Sequence, residues 1–408
     1  VATIAIIASC DTKYHEIRFV EAAMRGAGHI PLIVDISTGR ESPVTGDITK
    51  QQILHEGGYL WEQVCGFPKS EAIDAMSASV SKVLYRLYRE GKIDGAFGMG
   101  GLQNTIVCSA AFQRLPLGFP KMIASTVASG YRYFDTVMGD KDITVVPSIV
   151  DFAGINPISE VILNNAVAAV IGMVEHGGGE INTRGHFLIG TTLMGITNDT
   201  VMAVSDKLMA DGKEIISFHS TGIGGRVMER MILDGHIKAV MDLTLHEMTA
   251  EYFGGYGYSK GADNRLCAAA EMGIPTLVCP GGIDFICLGK HELFDDQEER
   301  GYTWHNSDLT HTRLYEHEIL DITRTIAKRV NKSSGGNVSV VLPMGGLRTL
   351  SRPGEPFHKP DTIKKMRDIF QQELSPNISF KCVDYNFMDP GFAEILYEEM
   401  TMLLEKAR

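Results

Sequence analysis

Short continuous apolar runs alternate along this chain with stretches whose apolar residues recur every three or four positions. The runs Thr3–Ser9 (TIAIIAS), Pro31–Ile36, Asp94–Met99, Lys121–Ala124 and Ile143–Ile149 predict strands. Tyr14–Ala27, Glu71–Glu90 and Pro157–Val174 carry the helical period and predict helices. Strands that are apolar on both faces and alternate with helices predict a parallel sheet covered on both sides, with right-handed crossovers. The pattern pauses at His176-Gly177-Gly178-Gly179 and then restarts. Strands are predicted at His186–Leu193, Glu214–His219, Lys238–Leu243, Pro275–Cys279, Val338–Leu342 and Ser379–Val383, with helices at Thr200–Met209 and Gly391–Lys406.

The second half reads as a copy of the first. The octapeptide from Glu90 to Phe97 aligns without a gap on that from Asp234 to Met241. Gly118-Phe119-Pro120 and Gly273-Ile274-Pro275 each precede a predicted strand, and Ser37-Thr38-Gly39 and Ser220-Thr221-Gly222 each follow one. The expectation is an α/β protein of two Rossmann-like parallel-sheet domains related by duplication, 1–179 and 180–408, with a ligand cleft between them. Extra residues rich in Gly, Tyr and acid lie between Met241 and Gly273.

Composition narrows the function. With 408 residues, 44% hydrophobic and 22% charged, the chain has ample material for a core. A net charge of −12 without a Lys/Arg block argues against a nucleic-acid groove, though not against a single nucleotide held by backbone N–H groups. The seven cysteines are scattered and form no C-x-x-C pair, which reads as free thiols in a reducing cytoplasm. No basic leader and no long apolar run stand out, so neither secretion nor a membrane span is expected. A two-fold homodimer is the default assembly.

Ligands of open parallel sheets bind beyond the C-terminal strand ends. The loops there are small, polar or Gly-rich: Ser9–Lys13, Ser37–Gly39, Gly98–Thr105 and Ser125–Gly130. Such loops open helices whose N-termini carry free N–H groups and partial positive charge, suited to a phosphate or carboxylate. No G-x-x-x-x-G-K-[ST] motif occurs, and Gly98-x-Gly100 lacks the third glycine of a dinucleotide fingerprint.

The second half offers more reactive side chains. His219, Asp242, His246, Glu247 and Asp284 follow successive strands and are expected to converge. Of these, His219, His246, Glu247 and Asp284 are the candidate acid–base or metal groups, the metal itself being unspecified. Gly222, Gly224 and Gly225 form a candidate anion nest. His311 belongs to a second polar cluster, Asn306–Arg313, and Arg348 or Arg352, in the Gly-rich stretch after the Val338–Leu342 strand, is suited either to an anionic ligand or to a surface ion pair.

Several phrases then read together: GMGGLQNT from Gly98, STGIGGRVMER from Ser220, MDLTLHE from Met241, CPGGIDF from Cys279 and LPMGGLRTLSRPGEPFHKPD from Leu342. In this order they resemble the Tm-one-type ATP-binding family, named for the N-terminal domain of the tomato mosaic virus resistance protein. The resemblance spans essentially the full chain. It implies two Rossmann-like domains and bound ATP, with or without Mg²⁺. Together with the loops it places the nucleotide on Asp11, Thr38, Gly98, Gly100, Gly101, Thr126, Ser129 and Gly130. The rival readings are a metabolic enzyme that works on a small phosphorylated or carboxylated substrate with the second-half His, Glu and Asp groups, and a non-catalytic sensor or inhibitor that acts by partner contact.

Overall fold

The computed structural model describes residues 1–39, 41–128, 135–179, 181–259, 262–333 and 335–407. The chain divides into two compact units, Val1–Asn182 and Thr183–Arg408.

Unit 1 is built on five parallel strands, β1 (Thr3–Ala8), β2 (Ile30–Asp35), β3 (Gly95–Gly100), β4 (Lys121–Ser125) and β5 (Thr144–Pro147), in the order β2-β1-β3-β4-β5. Alternation along β1 sends Ala5 and Ile7 to one core, and Ile4, Ile6 and Ala8 to the other. The first core is closed by the helices Lys50–Gly57, Lys69–Arg89 and Leu102–Phe112, the second by Tyr14–Gly26 and Pro157–His176. Against expectation, Pro157–His176 is long and apolar enough to cross a membrane, with a mean hydropathy of 1.6 over its best window. Here Leu163, Ala166, Val167 and Val170 of that helix pack on the sheet.

Unit 2 has six parallel strands, β6 (Leu188–Leu193), β7 (Glu214–His219), β8 (Ile237–Thr244), β9 (Thr276–Gly281), β13 (Val338–Pro343) and β14 (Ser379–Val383). Between β9 and β13 the chain makes a separate antiparallel sheet, β10 (Phe285–Gly289), β11 (Tyr302–Trp304) and β12 (Leu309–Arg313), in the order β10-β12-β11. The main sheet runs β14-β13-β9-β8-β6-β7. Numbered within its own unit from the other edge, it reads 2-1-3-4-5-6, and unit 1 reads 2-1-3-4-5. The two units therefore share one winding, as the internal repeat suggested.

The ladders fix the correspondence. Ile6 pairs with Phe97, and Thr191 with Met241, so the aligned octapeptides occupy the same place in the two sheets. The two Ser-Thr-Gly runs follow equivalent strands but sit one residue apart. Ile36 donates to Ala8 O, whereas Ser220 donates to Leu193 O, and Ala8 and Leu193 stand in equivalent positions.

Candidate functional site

In unit 1 the helices after β1 and β3 go to opposite faces of the sheet, so the connections leaving these neighbouring strands diverge. That is where an open α/β sheet leaves its crevice. A pocket of about 590 Å³ lies there. Ser9, Asp11, Thr12 and Lys13 line it from the β1 loop, Thr38 and Gly39 from the β2 loop, and Gly101 to Asn104 from the β3 loop. Val64, Cys65, Phe67, Lys69 and Ala72 complete the wall.

Side chains tie these loops together. Ser9 Oγ donates to Asn104 Oδ1 (2.7 Å), and Asn104 Nδ2 donates to Met99 O (2.9 Å). Gln103 Nε2 donates to Thr38 Oγ1 (2.7 Å), and the Asp11 N–H donates to Ser37 Oγ (3.1 Å). Lys13 Nζ donates to Phe152 O. Two helices, Tyr14–Gly26 and Leu102–Phe112, start from loops that line the pocket. In the second, the first helical bond runs from Thr105 N to Gly101 O (2.9 Å), so the N–H groups of Leu102, Gln103 and Asn104 precede the ladder.

Of the residues expected to hold a nucleotide, Asp11, Thr38 and Gly101 line this pocket; Gly98, Gly100 and Thr126 do not. Gly98 is buried inside β3 against Cys108. Gly100 has φ +141°, and a Cβ there would stand 2.4 Å from Asn104 Nδ2, so it makes room for the Asn104 tie. The Thr126 N–H donates to Gly100 O (3.0 Å), fixing the end of β3. Ser129 and Gly130 lie outside the described residues. The wall from Val64 to Ala72 was not anticipated, because it belongs to the long β2–β3 crossover and carries no motif.

In unit 2 the expected convergence divides into two clusters. Glu247 does not open onto a ligand. Its Oε1 accepts from the Gly222 N–H (2.6 Å) and the Gly225 N–H (3.0 Å), and its Oε2 from Arg265 Nε (2.7 Å). The anion nest of Gly222, Gly224 and Gly225 is thus filled by a carboxylate of the chain itself. A Cβ on Gly225 would stand 1.9 Å from that carboxylate. Arg265 is fully buried, and its Nη1 reaches Glu229 (3.0 Å) and its Nη2 Asp242 (2.6 Å). Glu229 also accepts from the N–H groups of Leu266 (2.6 Å) and Ala268 (2.7 Å). That grip holds the chain where Asn264 and Leu266 have positive φ.

Burial pushes Glu229, Asp242 and Glu247 above the usual carboxylate range, with Arg265 pulling the other way. Burial also opposes the charge of Arg265, but the three carboxylates outweigh it and raise its pKa. Sequence reading missed Arg265 because nothing around a lone arginine in a loop distinguishes it.

The second cluster lies against the ring of Phe285. His246 stacks on it at 4.1 Å, and its Nδ1 lies 3.0 Å from Gly282 O. A carbonyl only accepts, so Nδ1 carries the proton. Burial lowers the His246 pKa to about 4, so the ring is neutral at pH 7 and Nε2 holds a lone pair. Asp284 accepts from Arg348 Nε (3.0 Å). His311, at 4.5 Å from the same ring, has its Nδ1 3.3 Å from Arg348 Nη1. Burial, then Arg348 and the neighbouring histidines, lower its pKa to about 3. His219 ends β7 and is exposed. Among the described residues no group of three or more His, Cys, Asp or Glu side chains could hold a metal ion.

The sequence matches the N-terminal domain of the Uncharacterised protein family (UPF0261) over residues 2–178 and its C-terminal domain over 186–404. A UPF0261 protein of Clostridium tetani is 31% identical over 408 residues, covering 99% of both chains. The tomato (Solanum lycopersicum) ToMV susceptible protein tm-1(GCR26) is 32% identical over 426 residues, covering 98% of this chain and 56% of that protein. Among solved structures, the S. aureus MnaA–UDP co-structure aligns with 68% of this chain and 79% of its own at 12% identity. Its TM-score of 0.22 is too low to bear on fold or ligand. The matches to both domains and to near full-length relatives agree with the repeat and the shared winding: this chain belongs to the Uncharacterised protein family (UPF0261).

Proposed function

We propose that unit 1 binds a nucleotide, ATP, in the pocket at the ends of β1 and β3. The observation that carries this is the start of two helices, Tyr14–Gly26 and Leu102–Phe112, from loops lining one pocket that also holds Lys13 and Lys69. Helix N-termini favour a phosphate chain through their unladdered N–H groups and partial positive charge. Val64, Phe67 and Ala72 give an apolar wall for the base. Asp11 is the carboxylate for Mg²⁺, which takes one or two protein carboxylates, keeps several waters and draws its other ligands from the phosphates. The family resemblance supports the same ligand.

Calorimetry of the full chain with ATP, with and without Mg²⁺, tests the reading. Binding is expected, at least ~10-fold weaker in Lys69→Met, which loses one charge-assisted contact. If no adenine nucleotide binds under either condition, the proposal is wrong.

A further inference from the structure

We propose that unit 2 carries a second, independent ligand site, for a small oxyanion of the carboxylate or phosphate kind, anchored on Arg348. The argument starts from how this guanidinium is held. It is fully buried. Nε donates to Asp284 (3.0 Å to Oδ1, 3.3 Å to Oδ2), and Nη1 donates to His311 Nδ1 (3.3 Å). The guanidinium carbon lies 4.0 Å from the Phe285 ring centre and 4.1 Å from that of Phe357. Nη2 has no hydrogen-bond partner among the described residues.

Rings against the guanidinium leave its plane as the direction in which new bonds form. In that plane the Nη2 N–H groups present the donor fork that matches a carboxylate or phosphate edge. Native proteins rarely leave a buried charged donor unmatched, since each such group costs its full desolvation. Arg265 shows that this chain can give every nitrogen of a buried guanidinium a partner.

Two neighbours point the same way. Arginine only donates, so His311 Nδ1 is the acceptor and, in the neutral ring, Nε2 carries the proton as a further donor. His246 Nε2, on a ring stacked against the same Phe285, is a second buried polar atom without a partner among the described residues; its lone pair suits an O–H of the ligand, such as that of hydrogen phosphate, rather than an anionic oxygen. His246 follows β8, Asp284 follows β9 and Arg348 follows β13, at the C-terminal strand ends where α/β sheets take ligands, and His311 reaches them from β12 of the insert. Arg348 is buried in this state, so entry requires a local movement, which we assign to 352–359, a segment without regular secondary structure whose Phe357 packs on the guanidinium.

The full chain is titrated by calorimetry with inorganic phosphate and, separately, with acetate. Removing Arg348 alone would strand Asp284, so the variant is Arg348→Met/Asp284→Asn, which removes both charges together. His311→Gln is the milder companion, and a thermal melt confirms that each folds. One anion is expected to bind wild type, at least ~10-fold weaker in the double variant and several-fold weaker in His311→Gln. Binding of phosphate alone identifies the phosphate kind, and of acetate alone the carboxylate kind. Failure of both anions to bind, or equal binding by wild type and both unit 2 variants, overturns the proposal. So does loss of anion binding confined to Lys69→Met, which would put the anion in unit 1.

Discussion

Unit 2 buries two arginines completely and holds them in different ways. Arg265 meets three carboxylates, one at each of its nitrogens. Arg348 meets one carboxylate, one neutral imidazole and two phenyl rings, with Nη2 left over. In the first arrangement every nitrogen has a carboxylate partner, and its role is to lock the β8 loop, the helix Ile223–Leu233 and the segment before Cys267 to one another. The second has directional capacity left unused. The unpartnered nitrogen, rather than the buried charge, is what sets Arg348 apart from Arg265.

The sharpest way to break this comparison is Arg265→Met. It would leave Glu229, Asp242 and Glu247 buried without their counter-charge. Removing one partner from a buried ion pair costs about 3–5 kcal/mol, and three partners are stranded here. Thermal denaturation should show a midpoint lowered by on the order of 10 °C, or no folded protein. Arg348→Met/Asp284→Asn, which replaces a charge pair by apolar and neutral groups, should cost about 2 kcal/mol or less. If the two changes destabilise equally, Arg348 is architecture too.

The clusters also differ in their response to acid. His246 and His311 are buried neutral, with pKa values lowered from 6.5 to about 4 and about 3. Below pH 6.5 the unfolded chain takes up protons that the folded chain refuses. Their contribution to stability is therefore full above pH 6.5 and is lost as pH falls toward 4. At about 1.36 kcal/mol per pH unit, His246 alone accounts for up to about 3 kcal/mol. Raised carboxylates work in the opposite sense: Glu229, Asp242 and Glu247 favour the folded state at low pH and lose that contribution as pH rises through their folded values. Melts of wild type and His246→Asn from pH 7 to pH 4 should show a shallower acid loss in the variant. Parallel curves would mean that His246 is not buried neutral.

A smaller effect tests the filled nest. Gly225→Ala places a methyl 1.9 Å from Glu247 Oε2 and 2.5 Å from Arg265 Nε. Overpacking of this kind costs about 1–3 kcal/mol. An unchanged melting midpoint would show that the Glu247 carboxylate moves aside easily and that the nest can open to an outside anion.

The sequence was informative where the local pattern has one meaning. The run Thr3–Ser9 and the period from Glu71 predicted β1 and the helix Lys69–Arg89 to within two residues, because a core on both faces imposes those patterns. The insert β10–β12 was not seen: β12 is Leu-Thr-His-Thr-Arg, too polar for the apolar-run criterion, although Thr310, His311 and Thr312 are all buried. The Gly222–Gly225 loop, expected to be an anion nest for a ligand, presents two of its N–H groups to a carboxylate of the chain. Its occupant could not be read, because Glu247 approaches it from the end of another strand. The same limit hid Arg265 and the Val64–Ala72 wall, whose roles exist only once distant segments meet.

The repeat supplies the finest comparison. Six residues after the aligned Phe97 and Met241 stand Gln103 and Glu247. Both reach across one intervening strand to a Ser-Thr-Gly loop, Gln103 past β1 to the Thr38 hydroxyl after β2 and Glu247 past β6 to the Gly222 N–H after β7. The neutral pair in unit 1 lines an open pocket, whereas the charged one in unit 2 fills its own nest and draws in Arg265. Gln103→Ala should therefore cost only about 1 kcal/mol, the net worth of one neutral hydrogen bond. Glu247→Ala should cost several times that, because it unpairs two buried N–H groups and an arginine. Equal losses in urea denaturation would show that Gln103 is as deeply built into unit 1 as its counterpart is into unit 2. The open pocket would then owe its shape to that one amide.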